Sequence, residues 1–237
     1  MPTLSLILPV YNQADHIEPV FHKLYQTIQK TRIDCELILV ENGSKDASLE
    51  IIKKIAKKYP HTIAITTKKG YGSAVLAGQK IAKGYFIGHM PSDGQVDPEI
   101  VPILLQLIQQ EGYDLVKVRR PKREHIGRLV VSVVFGLSMS LFFGMRIYDI
   151  NGSPKIFPKK YLPKFKLQRT DEFIDAELMV KASYLDLQIK EIDMRHIDRH
   201  SGKSTRSIYT YIEFFKNIYA YRFGKELAFW KENRGKE

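Results

Sequence analysis

Cysteine is almost absent from this chain. Cys35 is the only one in 237 residues, so no intrachain disulfide can form, and a reducing compartment fits that usage. The opening MPTLSLILPVYNQ has no basic stretch and no small-residue cleavage site, and Pro9 interrupts its apolar run, so no secretory leader is expected. Long hydrophobic runs are also missing. The longest segment without a charge, Leu129 to Met145, falls short of the roughly 20 apolar residues that a membrane span needs. Acid is the scarcer charge, with 26 Asp and Glu against 37 Lys and Arg, for a formal charge of +11. That excess favours an anionic partner: nucleic acid, a membrane surface or a phosphorylated ligand. The familiar nucleic-acid recognition motifs are missing, so nucleic acid is not the expected partner.

What is present is alternation. TLSLILPVY, DCELILVEN, HTIAITTK, GYFIGHM and YDLVKVRR read as five strands. Between them, QADHIEPVFHKLYQTIQKT, DASLEIIKKIAKKY, GSAVLAGQKIAK and DPEIVPILLQLIQQEG read as helices. Strands alternating with helices predict an α/β fold with a doubly wound, mostly parallel sheet and helices on both faces. In such sheets ligands gather beyond the carboxyl ends of the strands. Those ends carry VYN, VENGSKD, TKKGYG, MPSDGQ and VRRPKR, so acids, glycines and bases share one rim.

Each motif has a physical reading. Pro9 has no N–H and is expected to end the first strand ladder. Glu41 can accept hydrogen bonds from a ribose or base, Gly43 allows a tight turn, and Asp46 suits a helix cap. Gly70 and Gly72 precede a helix and let its N–H groups approach an anion, with Lys68 and Lys69 adding charge. Arg119, Arg120, Arg123 and Arg128 can clamp phosphate oxygens. Ser132, Gly136, Ser140 and Gly144 recur every fourth residue, a stripe that lets another backbone come close. The 129–145 segment reads as a buried core helix, a helix lying against a membrane or a span. The C-terminal SIYTYIEFFKNIYAYRFGKELAFWKE is basic and aromatic, with Tyr211, Phe215, Ile218 and Arg222 at helical spacing. It can pack on the domain or lie at a lipid interface.

Taken in order, LILPVYNQ, ENGSKDAS, KKGYGSAVLAG, PSDGQVDPE, IGRLVVSVVFG, DINGSPKIF, FIDAEL and RHIDRHSGKST resemble the family 2 glycosyltransferases of GT-A (Rossmann-like) fold, in the dolichol- or polyprenyl-phosphate mannose synthase-like branch. The resemblance covers roughly residues 4–206. It implies one GT-A domain over 1–206, including an apolar helix at 128–145, and an amphipathic helical tail over 207–237. It implies a nucleotide-diphosphate sugar held by Pro9, Tyr11, Asn12, Glu41, Gly70, Gly72, Ser92 and Asp93. ENGS stands where the family usually has Asp-Asp-Gly-Ser, and Asn42 supplies no charge. The Asp-x-Asp motif that binds Mg²⁺ or Mn²⁺ with the diphosphate corresponds to PSDGQ. Asp93 and Gln95 match it, whereas Pro91 takes the place of the first acid and offers no oxygen, so a reduced ligand set and weak metal binding are expected.

The resemblance further implies that Asp93, Arg128, Asp175 and Glu177 serve catalysis. Arg119, Arg128, Ser132, Lys155, Arg199, Lys203 and Ser204 are implied to hold the diphosphate or the acceptor phosphate. Asp149 and Lys155 match one family segment, and His196 and His200 fit no zinc spacing. The implied activity is inverting transfer of a sugar to a membrane polyprenyl phosphate, by a cytoplasmic enzyme held peripherally on an anionic inner membrane face. A saccharide acceptor is the alternative, with Asp175 or Glu177 as base, and a noncatalytic nucleotide-sugar binding protein is a second.

Overall fold

The computed structural model describes residues 1–120, 136–145, 149–194 and 208–234. The chain order is β1 (Leu4–Val10), α1 (Ile17–Thr31), β2 (Cys35–Glu41), α2 (Ser48–Lys58), β3 (Thr62–Thr66), α3 (Tyr71–Ile81), β4 (Phe86–His89), α4 (Ile100–Gln110) and β5 (Leu115–Arg119). Helical residues 136–143, here α5, come next. They are followed by β6 (Lys155–Pro158), a 3₁₀ turn, the short α6 (Leu162–Phe165), α7 (Ile174–Tyr184), β7 (Ile189–Asp193), α8 (Ile208–Phe223) and α9 (Lys225–Asn233).

The seven strands form one sheet in the order β3-β2-β1-β4-β6-β5-β7. Strands β1 to β4 are parallel, as the alternation predicts. β6 is the exception. It runs antiparallel between β4 and β5, pairing His89 with Lys155 and Lys117 with Lys155. DINGSPKIF therefore contains a central strand that its short apolar run does not announce.

Side-chain alternation on the buried strands separates two cores. Leu4, Leu6, Leu8, Leu37 and Leu39 face α1, α2 and α4, where Phe21, Leu24, Ile52 and Leu104 meet them. Ile7, Ile38 and Val40 face the other way, toward Ala74 of α3, Met139 and Phe143 of α5, and Leu178 of α7. α1 shows the logic: Ile17, Phe21, Leu24 and Ile28 form one buried stripe. Its C-terminus is closed by Arg32 in the left-handed region at φ 54°.

Two expectations change. Pro9 lies inside β1 and pairs with Val40, so the ladder on the β2 side continues to Val10. On the β4 side the ladder has already ended at His89, and the Pro9 carbonyl accepts a hydrogen bond from Ser92 Oγ at 2.6 Å. A missing N–H therefore costs nothing there. The small-residue stripe is not the packing face of α5. Met139 and Phe143 are buried, whereas Ser140 and Gly144 are exposed, and among the described residues none comes within 4 Å of where a Cβ on Gly144 would sit. Gly144, at φ 68°, donates to the Ser140 carbonyl and ends the helix, as glycine does in a left-handed cap. Among the described residues no helix is long and apolar enough to cross a membrane.

The C-terminal pair packs on the domain. Ile218, Tyr221, Leu227 and Trp230 are buried in the second core, and Trp230 Nε1 donates to the Lys164 carbonyl at 2.9 Å. Arg222 Nε donates to the Phe142 carbonyl of α5 at 2.7 Å.

Candidate active site

The carboxyl ends of β1, β2 and β4 and the neighbouring ends of β5 and β6 converge, and the chemistry gathers there. At the β1–β2 end the loops tie to one another. Asn12, at φ 51°, donates through its N–H to Ser44 Oγ (3.0 Å) and accepts at Oδ1 from Lys45 N–H (2.8 Å). Glu41 is buried and takes the Ser44 N–H. Asp46 accepts from the N–H groups of Ala14 and Ser48 at 3.0 Å; it sits one residue before Ala47, the N-cap of α2, and ties the start of that helix to the 12–14 turn. Lys69 Nζ lies 5.3 Å from the Tyr11 ring centroid, a cation over an aromatic face. Asn42 is buried, and its Oδ1 has no partner among the described residues.

The helix end after Gly70 and Gly72 is closed by protein. The Ser73 N–H donates to the Thr170 carbonyl at 3.1 Å. A Cβ on Gly70 or Gly72 would run into the carbonyl oxygens of Thr170 and Arg169. These glycines therefore make room for a neighbouring loop, where an open anion cradle was expected.

At the centre lies a buried charged cluster. Asp175 Oδ1 accepts from Lys155 Nζ at 2.6 Å and faces His89 Nε2 at 2.9 Å. Burial alone would raise the Asp175 carboxyl, but the Lys155 ammonium and His89 hold it well below the usual carboxylate range. Burial in turn lowers the Lys155 ammonium to about 8, with Asp175 opposing that fall. Lys117, also fully buried, donates to Glu191 Oε1 (2.9 Å), to the Val118 carbonyl (3.1 Å) and to the Asp149 carbonyl. Gly152 packs against Val118 O and 3.0 Å from Lys117 Nζ at its would-be Cβ, so no larger residue fits beside that ammonium. Arg120 grips Asp149 bidentately, Nε–Oδ2 at 2.8 Å and Nη2–Oδ1 at 2.9 Å. Burial works against the Arg120 charge, but Asp149, then Asp175 and Asp93, raise it above its ordinary value. Tyr71 completes the group. Its ring meets His89 edge-on at 6.4 Å, and burial followed by Asp175 pushes its phenol well up, against a hydrogen bond with Ser153.

The expected residues divide accordingly. Asp175 and Asp93 both favour the Arg120 charge through space, whereas the guanidinium hydrogen-bonds Asp149. The Asp93 carboxylate also accepts from the Gln95 N–H at 3.2 Å. Ser92 is turned inward onto Pro9. Lys155, expected at a phosphate, stands fully buried behind Asp175, so its charge reaches the rim only through that carboxylate. Arg119 points to the sheet end and pairs with Asp193 at 2.6 Å. The residue that enters the cluster is its neighbour, Arg120. Glu177, two residues beyond Asp175 on α7, projects about 200° away from it. Its carboxylate holds Lys181 Nζ at 2.6 Å and the Gln168 and Arg169 N–H groups at 3.0 and 2.9 Å, and it lines a separate cavity of about 230 Å³ beside Trp230. Arg123, Arg128, Ser132, His196, Arg199, His200, Lys203 and Ser204 lie outside the described residues.

His89, Lys117, Tyr71 and Ser153 were not singled out from sequence. The available signal was a histidine and a lysine inside otherwise apolar strands, GYFIGHM and YDLVKVRR. A buried charge is expensive unless it is paired, so such residues announce a partner.

For a divalent cation, the described residues contain no group of three or more His, Cys, Asp or Glu side chains. Mg²⁺ commonly uses one or two carboxylates and completes its shell with substrate phosphates and water. Asp93 fits that limited role, and Pro91 contributes no side-chain oxygen.

The family model for glycosyl transferase family 2 matches residues 5–159. The chain belongs to this family. It is 26% identical over 219 residues to the undecaprenyl-phosphate 4-deoxy-4-formamido-L-arabinose transferase of Photorhabdus laumondii, covering 91% of this chain and 66% of that protein. It is 33% identical over 124 residues to the transferase of the same name from Proteus mirabilis, covering 51% of this chain and 38% of that one. The chain thus spans at most about two thirds of the length of these relatives. Among solved structures, glucosyl-3-phosphoglycerate synthase from Mycobacterium tuberculosis with Mn²⁺, UDP and phosphoglyceric acid superposes with a TM-score of 0.73 at 18% identity, over 93% of this chain and 78% of that one. The same enzyme with UDP alone gives 0.70 over 95% and 82%, also at 18% identity. The shared fold is GT-A.

Proposed function

We propose that this chain moves a sugar from a nucleotide-diphosphate donor to a polyprenyl phosphate at a membrane surface, with inversion at the anomeric carbon. The observation that carries this reading is the state of Asp175. A carboxylate held by Lys155 at 2.6 Å and His89 at 2.9 Å, with its pKa driven down, is a poor base for a sugar hydroxyl. A phosphate acceptor is already ionised near neutral pH and needs none. A saccharide acceptor would ask of Asp175 a proton transfer for which its surroundings are unsuited.

On this reading the donor lies over the rim formed by Tyr11, Glu41, Asn42 and Asp93. Arg120, fixed by Asp149, places a preorganised positive charge within electrostatic reach of Asp93, where the departing nucleoside diphosphate gains charge. A Mg²⁺ or Mn²⁺ ion held by Asp93 and the donor would add Lewis-acid neutralisation of that leaving group. Arg128, Ser132, Arg199, Lys203 and Ser204 are assigned to the acceptor phosphate. The names of the curated relatives support a polyprenyl-phosphate acceptor, and the titles of the fold neighbours support a uridine diphosphate donor with Mn²⁺.

Lipid contact on the inner, cytoplasmic face of a membrane is supported by the surface of α5, α8 and α9. Leu137, Leu141, Tyr219, Phe223 and Phe229 are exposed, and Phe142 packs edge-on against Phe223 at 6.0 Å, joining the α5 and α8 ridges. Lys216 and Lys225 stand exposed on the same two C-terminal helices, ready for anionic headgroups.

The test is release of nucleoside diphosphate from a panel of sugar nucleotides, with Mn²⁺ or Mg²⁺ and a short polyprenyl phosphate, against EDTA and Asp93→Ala. Turnover that requires the lipid phosphate establishes the reading and names the donor. Turnover with a saccharide but not the lipid overturns it. Nucleotide binding by calorimetry without turnover on any acceptor leaves a noncatalytic binding protein.

A further inference from the structure

Arg169 lies outside the charged cluster, yet it is tied to four elements. Its Nη2 donates to Asp171 Oδ2 at 2.6 Å and reaches Asn217 Oδ1 of α8 at 3.4 Å. Its Nη1 is 3.8 Å from Glu226 of α9, and its guanidinium lies over the Phe173 ring at 5.4 Å. Its own N–H and that of Gln168 are held by the Glu177 carboxylate of α7. The 168–171 loop is thus pinned at its side chain and its backbone.

This pinned loop rests on the start of α3. Thr170 takes the Ser73 N–H at 3.1 Å, and the loop carbonyls lie so close to Gly70 and Gly72 that a methyl group at either position would displace them. Only glycine permits that approach, and at Gly70 the backbone sits at φ 137°, where side chains are strained. Between the two glycines stands Tyr71. Its ring meets the His89 imidazole edge-to-face at 6.4 Å, and that imidazole contacts Asp175, while Ser153 Oγ donates to the His89 carbonyl at 3.0 Å. Arg169, the loop, the glycine seat, Tyr71, His89 and Asp175 form one unbroken series of contacts.

We infer that Arg169 is a positioning residue for the donor site: it presses the 168–171 loop onto the Gly70–Gly72 seat, and the seat fixes Tyr71 against His89 and Asp175. The part that concerns donor use rests on the proposed glycosyltransferase reading. The part that concerns the seat does not. Because Arg169 also touches α8 and α9, the C-terminal helices help to hold the rim, although none of their described residues enters the charged cluster.

The experiment uses the full chain with Arg169→Ala, Gly72→Ala and the double variant. In ligand-free protein, hydrogen exchange at the Gln168, Arg169 and Ser73 amides is expected to quicken at least about tenfold in Arg169→Ala, by local opening of the loop. Donor kcat/KM, measured well below each Tm, is expected to fall about tenfold or more in either single variant. The double variant should fall little further, because both changes release the same contact. Unchanged exchange at Ser73 in Arg169→Ala overturns the seat, whether or not the protein transfers sugar. Faster exchange with wild-type kcat/KM overturns the positioning role and leaves a scaffold loop. Should Gly72→Ala fail to fold, Arg169→Ala alone decides, since its side chain is partly exposed and is not part of either core. Absence of turnover in wild type on every donor and acceptor counts against the glycosyltransferase reading and, with it, against the donor-positioning claim. The exchange result still decides the seat.

Discussion

The Lys155 ammonium lies 2.6 Å from the Asp175 carboxylate, and both side chains are buried, Lys155 completely. Breaking such a pair from one side strands a charge in a medium that solvates it poorly. Lys155→Met is therefore expected to cost about 3–5 kcal/mol of unfolding free energy. Lys155→Met with Asp175→Leu is expected to recover part of that loss, because no stranded charge remains. Urea denaturation midpoints for the singles and the double measure both effects.

The same pair gives a pH dependence with a definite sign. Burial lowers the folded-state Lys155 pKa from 10.5 to about 8. Between those values the unfolded chain binds a proton that the folded chain does not, so this group's contribution to stability rises as pH rises through the window. Catalysis is expected to run the opposite way. Once the ammonium is lost, Asp175 loses its main partner, and transfer should decline on an alkaline limb centred near pH 8. A pH–rate profile checks it, and in Lys155→Met that limb should be gone. Asp175 contributes in the other direction at low pH. Its folded pKa is lowered, so its stabilisation is present above the ordinary carboxylate range and is lost as acid protonates the folded form.

Asp93 is the one acid of its motif, since Pro91 occupies the other position. Asp93→Asn keeps an oxygen but removes the charge. The Mn²⁺ concentration needed for half-maximal UDP binding is expected to rise about tenfold or more, because hard cations favour charged oxygen ligands. Titration calorimetry at fixed UDP measures this. An unchanged metal requirement would place the ion elsewhere or remove it from binding.

The exposed apolar ridges on α5 and α8 can be tested separately. Leu141 is 82% exposed and Phe223 is 59% exposed, so neither is needed for the core. Leu141→Ser with Phe223→Ser should leave Tm within a few degrees of wild type. Partitioning onto phosphatidylglycerol-containing vesicles should drop at least about tenfold, since each buried apolar side chain contributes roughly 1.5–3 kcal/mol. Sedimentation with vesicles reads the change, and added salt should weaken the wild-type interaction as the lysines are screened.

The parallel half of the sheet was legible because its strands are dominated by apolar residues and helices such as α1 carry one buried stripe. Leu6 and Ile38 belong to such strands, and Phe21 and Leu24 to such a stripe. β6 was not, because only Ile156 and Phe157 of its four residues are plainly apolar and Gly152, Ser153 and Pro154 before it read as a turn. The acids of the rim were legible as chemistry but not as partners. Asp175 and Glu177 look equivalent in FIDAEL, yet the helical rotation between them sends one to the rim and the other to the Lys181 side. The Gly-x-Gly signal was read as room for an anion at a helix N-terminus. What approaches is the 168–171 loop, and no local pattern names a partner so distant in sequence.

The antiparallel strand bears on the order in which this protein is made. β1 to β4 need only segments that emerge early from the ribosome, and two of their three pairings link consecutive strands. The middle of the sheet cannot close until Lys155–Pro158 inserts beside β4 and β5, and Asp175 and Glu191 arrive later still. Lys117 and His89 are synthesised long before their acidic partners, so a nascent chain carries these polar groups at the edge of an unfinished sheet. Non-local closure of this kind is slow and exposes strand edges while it waits. The charged cluster around Asp175 is consequently among the last parts of the molecule to form.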